Sequence, residues 1–241
     1  MKINYIAPLM GLLAIAMLFL YTSCSKDFGN PTTRNYPIGG ASYNGLNVSH
    51  AFQVTVSDRV TDVVVTVGEK AHDKVKVEVK DGTLYIGFDW INNYNGTATA
   101  IIPASRLNNL TLSGASTFSG DLSGNEVDID LSGASVYNGN VTANDVDIDL
   151  SGASVATVTG SCQTALDLGL SGASELYAAN LPAQIVKGDI SGASTADVTC
   201  CNSVRVSLSG ASHLTYAPSS SDCHPDVSGC STTGASTVRQ R

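Results

Sequence analysis

The tetrapeptide Ser-Gly-Ala-Ser begins at Ser113, Ser132, Ser151, Ser171, Ser191 and Ser209, at intervals of 19, 19, 20, 20 and 18 residues. A degraded seventh copy, Thr233-Gly234-Ala235-Ser236, follows 24 residues after the sixth. A near-constant period of this length describes a solenoid. Each repeat forms one turn and hides its apolar side only by stacking on its neighbours.

The residues ahead of each motif say what the turn is made of. One residue before the first Ser stand Leu112, Leu131, Leu150, Leu170, Ile190 and Leu208. Three before stand Leu110, Ile129, Ile148, Leu168, Gly188 and Val206, and five before stand Asn108, Val127, Val146, Leu166, Val186 and Val204. The columns between them are polar, with Asp128, Asp147, Asp167, Lys187 and Arg205 in one and Asp130, Asp149, Gly169, Asp189 and Ser207 in the other. Alternation with period two places successive side chains on opposite faces of a strand. Stacking then converts each aliphatic column into an interior ladder. The Gly of the motif suits a bend with φ > 0, which a Cβ opposes. A second short strand follows each corner and ends in a further apolar column, Leu122, Val141, Cys162, Leu181 and Cys201.

No window shows helical periodicity. The Leu/Asn pattern of leucine-rich repeats and the Gly-Gly-x-Gly-x-Asp runs of calcium-binding rolls are both missing. The expected fold is therefore all-β, a single-stranded right-handed parallel β-helix with about 19–20 residues per turn, its hand set by the preference of parallel crossovers. The domain spans 37–241, with regular repeats over 105–218, a C-terminal turn or cap over 219–241, and irregular N-terminal turns with a cap over 37–104. In that N-terminal part Phe52–Val56, Val63–Val67 and Val75–Val79 alternate as strands, and Asp81-Gly82 closes a hairpin onto Leu84–Phe88. Gly39-Gly40-Ala41-Ser42 reads as an early relic of the corner motif.

At the N-terminus, Lys2 precedes an apolar stretch from Ile6 to Leu20 and then Thr22-Ser23-Cys24. This is the layout of a secretory signal over 1–23, and the small residues before Cys24 fit a lipobox that would make it the lipidated first residue. Residues 24–36 read as a flexible tether. Net charge is −8 with 14% charged residues, a poor balance for nucleic-acid binding. The membrane contact is expected through the lipid.

Several groups carry candidate chemistry. Asp128, Asp147 and Asp167 share one outer column and Asp130 and Asp149 the next, on rungs about 4.8 Å apart. Five carboxylates on one patch offer the oxygen ligands that calcium takes. The competing reading is a solvated acidic face, partly offset by Lys187 and Arg205; no other cofactor is implied. Trp90 and Tyr94, set among Asn92, Asn93 and Asn95, combine aromatic faces with amides, as sugar binding does; the competing reading, which the sequence favours, is a loop folded over the N-terminal cap. His50, His72, His213 and His224 are scattered and read as surface or turn residues. No nucleophile elbow or zincin motif occurs. With Cys24 lipidated, Cys162, Cys200, Cys201, Cys223 and Cys230 remain for an oxidising compartment. Cys162 and Cys201 lie two rungs apart, about 9.6 Å, beyond disulfide reach. At least one bond is expected to involve Cys223, with the Cys200/Cys201 rung or Cys230 as its partner.

Asn47–Val56, Val75–Ile86 and the Leu-Ser-Gly-Ala-Ser repeats together resemble the auto-transporter adhesin head domain, also called the head GIN domain, from about Tyr36 onward. The resemblance implies a right-handed β-helix on a secreted or lipid-anchored protein of Bacteroidetes, and it supplies no catalytic or binding residues. The stretch from Asp58 to Asp62 and the Cys-bearing tail from Ser219 depart from the family's pattern. The combined expectation is a non-enzymatic cell-envelope lipoprotein, anchored to the outer membrane with its exposed side and oligomeric state open. Its role would be adhesion or binding of a glycan or protein ligand. The competing classes are a carbohydrate-active enzyme on the same scaffold and a purely structural envelope component.

Overall fold

The computed structural model describes residues 28–91 and 94–241. The signal segment, Cys24, Asn92 and Asn93 lie outside the described residues. Eighteen strands among the described residues form one continuous hydrogen-bonded sheet wound on itself, a parallel β-solenoid of about 7 turns. The strands are β1 (Pro31–Tyr36), β2 (Gly45–Val48), β3 (Phe52–Ser57), β4 (Val63–Gly68), β5 (Val75–Lys80), β6 (Thr83–Phe88), β7 (Ala98–Pro103), β8 (Asn109–Leu112) and β9 (Thr117–Ser119). They continue as β10 (Leu122–Ser123), β11 (Glu126–Leu131), β12 (Val136–Leu150), β13 (Val155–Leu170), β14 (Glu175–Ile190), β15 (Thr195–Leu208), β16 (His213–Pro218), β17 (Ser231–Thr232) and β18 (Thr237–Gln240).

The register gives the solenoid two working faces. On face A, ahead of the corner motif, β6, β2, β8, β11, the second halves of β12–β15 and then β17 stack in parallel. On face B, after the motif, β7, β3, β9, the first halves of β12–β15, β16 and β18 do the same. The three aliphatic columns point inward as expected, and Leu112, Leu131, Leu150, Leu170, Ile190 and Leu208 are all buried. A fully buried side chain of this size contributes about 2 kcal/mol relative to exposure, so the ladder is the main stabilising feature of the stack. In β12–β15 the two strands expected in each turn merge. Each runs on through its second bend, where the register shifts by a bulge.

The motif itself builds the first corner. Its Gly adopts φ between +61° and +77° in all seven copies. A Cβ placed on Gly172 would also collide with the carbonyl oxygen of Gly152 on the rung below, so conformation and stacking both demand glycine there. From the third copy onward the Ala amide donates to the Gly carbonyl beneath it, as Ala173 does to Gly152 at 2.7 Å. The last Ser is wholly buried in all six full copies. In five of them its hydroxyl donates to the carbonyl three residues back, as Ser174 Oγ does to Ser171 O at 2.7 Å, and Ser194 Oγ accepts from Ser174 N at 3.3 Å. A buried hydroxyl thus stays satisfied in every turn. The degraded copy builds its corner the same way, with Ala235 donating to Gly210 O at 2.7 Å and Ser236 to Thr233 O at 2.8 Å.

The N-terminal end departs from the parallel rule. β5 and β6 form the expected hairpin, and β4 pairs antiparallel with both β7 and β1. The segment expected as a tether is therefore structured from Pro31 to Tyr36. It satisfies the free edge of β4, which an unpaired strand would leave open. His72, read as a surface or turn residue, sits in a turn and is buried. It holds β1 in place, with Nδ1 2.9 Å from Tyr36 Oη and Nε2 2.9 Å from Thr32 O. The relic corner is also elsewhere than expected. Ser49-His50-Ala51 stacks under the motif, with Ser113 N donating to Val48 O at 2.9 Å and Gly114 against the His50 backbone. His50 and Ala51 take φ of +63° and +59° without glycine. Gly39 and Gly40 turn outside the stack, with nothing within 4 Å of their added Cβ positions.

At the C-terminal end Cys201 and Cys223 form a disulfide with Cα atoms 4.7 Å apart, as the expected bond to Cys223 requires. The cysteine column needs revision. The bulges shift it so that Cys162 aligns with Ala143 and Cys200 with Ala183. Cys162 and Cys200 are the buried free thiols, whereas Cys201 turns outward and Cys230 is half-buried. Cys162 Sγ lies 3.0 Å from Ala165 O and Cys200 Sγ 3.2 Å from Ser203 O, so both close the second bend. Burial pushes the Cys162 thiol up to about 11, an inert structural thiol.

Candidate functional site

Because interior positions are taken by the ladders, the polar chemistry stands on the outside of faces A and B. On face A the register aligns Asn109, Asp128, Asp147, Asp167, Lys187 and Arg205 in one outward column. The adjoining column holds Thr111, Asp130, Asp149, Gly169, Asp189 and Ser207. All five expected aspartates share this patch, and Asp189 joins it across the gap at Gly169. Lys187 Nζ lies 2.8 Å from Asp167 Oδ2, so the first column carries an ion pair before it runs on to Arg205. Both partners are well exposed, and such a pair adds little to stability.

Burial, then the neighbouring carboxylates of Asp149, Asp167 and Asp128, hold the Asp147 carboxyl above its ordinary range against the opposing Lys187. Burial and then Asp130 and Asp167 do the same for Asp149. Two shallow grooves cross the patch. One of about 360 Å³ is lined by Asp130, Asp149, Asp189 and three motif serines around Gly169. The other, about 210 Å³, lies among Glu126, Asp145, Asp147, Asp167 and Lys187. Among the described residues no group of three or more His, Cys, Asp or Glu side chains is disposed to hold a metal ion. The reason is geometric: stacked strands point the carboxylates of a column the same way, side by side, so they do not converge on one point. The calcium expectation thus finds its residues together but without a chelating arrangement.

Trp90 and Tyr94 separate in environment. Tyr94 packs in an aromatic cluster of the cap, 4.9 Å from Phe28 and 4.8 Å from Phe88 between ring centroids. Its hydroxyl donates to Thr97 O at 3.0 Å and accepts from Gly68 N at 2.9 Å. Tyr94 is therefore a strut of the cap. Trp90 is 90% exposed at φ +47°, so of the pair it alone offers a free aromatic face.

Face B carries the side chain that sequence reasoning passed over. Its outward columns run Gln53, Thr117, Val136, Val155, Glu175, Thr195, His213, Thr237 and Thr55, Ser119, Asn138, Thr157, Tyr177, Asp197, Thr215, Arg239. Most are small and neutral. Tyr177 is 48% exposed and donates to Glu175 Oε2 at 2.7 Å; this bond and the carboxylate's charge raise the phenol's pKa. Arg241 Nη1 reaches Asp197 Oδ2 at 2.6 Å. The sequence signal existed: six residues after each motif Ser stand Ser119, Asn138 and Thr157, and then the bulky Tyr177.

Solved structures share this architecture. One described as a "putative adhesin" from Bacteroides fragilis aligns with TM-score 0.74 at 19% identity, covering 88% of this chain and 97% of that one. A "putative adhesin" from Parabacteroides distasonis aligns with TM-score 0.65 at 20% identity, covering 90% and 99%. A "putative lipid binding protein" from the same species gives 0.65 at 18%, covering 88% and 97%. At these identities the likeness is one of fold. No curated protein matches the chain. A family model described as "Putative auto-transporter adhesin, head GIN domain" matches residues 42–219, a span that takes in the corner at Ser49-His50-Ala51 and all six full motifs, and the chain belongs to that family.

Proposed function

We propose that the chain is a non-enzymatic adhesin of the cell envelope, held at the outer membrane through a lipid on Cys24 and binding a surface ligand with the exterior of its solenoid. One observation carries the reading. The outward side chains stand in straight rows fixed by backbone register over a continuous aliphatic core, so a broad surface is organised before any ligand arrives. Preorganisation lowers the ordering cost of binding, and stacked repeats create extended binding surfaces of this kind. The family's description as an adhesin head supports the same reading, and the lipobox-like Thr22-Ser23-Cys24 supports the anchor.

Three measurements test it. Metabolic labelling with a palmitate analogue should mark the wild-type protein and not Cys24→Ser. Protease treatment of intact cells should remove the domain. Deleting the gene should reduce attachment of cells to a host-derived or neighbouring-cell surface. Protection from external protease together with unchanged attachment would overturn the adhesin reading. Products released from a polysaccharide panel by the purified protein would replace it with the carbohydrate-active enzyme.

A further inference from the structure

We propose that Tyr177 is the stacking platform of a binding site for neutral glycan chains on face B, formed with Thr157, Glu175, Asp197 and Arg241. The inference rests on the adhesin reading and names its ligand class. Tyr177 stands in the middle of the face, with Thr157 on the rung below and Asp197 on the rung above. Its phenol donates at 2.7 Å to Glu175, which projects from the same side of the same strand. That bond holds the ring in place, so its π-face is presented without much rotamer entropy to lose. Tyrosine combines such a face with a polar tip, which suits the mixed C–H and O–H surface of a pyranose.

The surroundings supply hydroxyl recognition mostly from neutral side chains. Thr117, Ser119, Asn138, Thr157, Thr195 and Thr215 occupy the two columns around the ring. Asp197 is neutralised by Arg241 at 2.6 Å. Charge selects among glycans. The chain carries −8 overall and the Glu175 carboxylate touches the phenol, while Arg241 is paired with Asp197 and Arg239 lies three rungs farther along the column, so an anionic polysaccharide is disfavoured at the ring where a neutral one is not. Rungs repeating every 4.8 Å or so let an extended chain run along the columns.

The test is a microarray of neutral and anionic oligosaccharides probed with the full mature protein, followed by calorimetry on the strongest neutral hit. Tyr177→Ser installs the kind of residue already present at Ser119 in the same column, so the fold is retained; a melting curve verifies it. We expect Tyr177→Ser to weaken binding about tenfold or more, Tyr177→Phe to stay within about threefold of wild type, and Trp90→Ala to leave affinity unchanged. Binding restricted to anionic glycans, no bound neutral glycan, or a Tyr177→Ser protein that binds as wild type would each overturn the site. If cells still attach after periodate oxidation of the target surface's sugars, the adhesin reading stands and the glycan assignment falls. If they never attach, the adhesin reading itself falls.

Discussion

The regular stack and the N-terminal cap solve the same problems with different chemistry. In the stack one corner is made seven times by a glycine at positive φ, and pairing is parallel throughout. In the cap Ser49-His50-Ala51 makes an equivalent corner without glycine, and β1, β4, β5, β6 and β7 supply the antiparallel pairs that close the end. Repetition explains the contrast. A residue in mid-stack has a copy of itself above and below, so its backbone must tolerate the same neighbour on both sides. The cap faces a rung on one side only, and there unique side chains such as His72 and Tyr94 can fix the geometry.

This difference is open to attack by substitution. Gly172 and Gly39 both sit at positive φ, +77° and +63°. Only Gly172 has a carbonyl stacked against its missing Cβ. Gly172→Val should destabilise by roughly 4 kcal/mol, from strain and overpacking together, and Gly39→Val by roughly 1–2 kcal/mol, from backbone strain alone. Chemical denaturation of both variants checks the gap; equal losses would mean that stacking adds nothing to the glycine requirement. At the C-terminal end the Cys201–Cys223 bond closes a loop with a sequence separation of 22. Cys201→Ser should cost about 3 kcal/mol, read by denaturation under non-reducing conditions.

Buried hydrogen bonds give a smaller contrast. His72→Ala removes two bonds that hold β1 and should release that strand first, with a loss of about 2 kcal/mol and faster amide exchange across β1 and β4. Ser174→Ala removes one bond of a ladder and should cost about 1 kcal/mol, with no region of exchange set apart from the rest. The smallest expected effect has the opposite sign. Asp147 and Asp149 have folded pKa values above the ordinary aspartate value. Their folded state therefore holds protons that the unfolded chain releases, and stability should rise as pH falls through that raised range toward the unfolded pKa. Asp147→Asn should add under about 1 kcal/mol of stability at neutral pH, seen as a slightly higher melting temperature, and flatten this pH dependence. A lower melting temperature would instead show that the carboxylates are held by favourable contacts.

Within the stack the sequence could be read almost residue by residue. Period-two alternation and the motif spacing placed Leu131, Leu150 and Leu170 inside and Asp128, Asp147 and Asp167 outside. Reading failed where the period was interrupted. The bulges after Ala143, Thr159 and Ala183 change which residue of a rung turns inward, so Cys200 replaced Cys201 in the interior. Pro31–Tyr36 read as a tether because its partners, β4 and His72, are distant in the chain. Tyr177 was passed over because its signal is a single break in the column of Ser119, Asn138 and Thr157, which repeat spacing alone does not single out.

The repeat alone determined the solenoid, its ladders and the crowding of aspartates on one face, because those properties belong to a period and survive in any turn that obeys it. Only the tertiary structure decided which bulge shifts a register, how β1 and His72 close the open end, and where a single exposed ring comes to rest between Thr157 and Asp197. Each of these depends on one long-range contact made once, and a pattern of repeats holds no record of contacts that are not repeated.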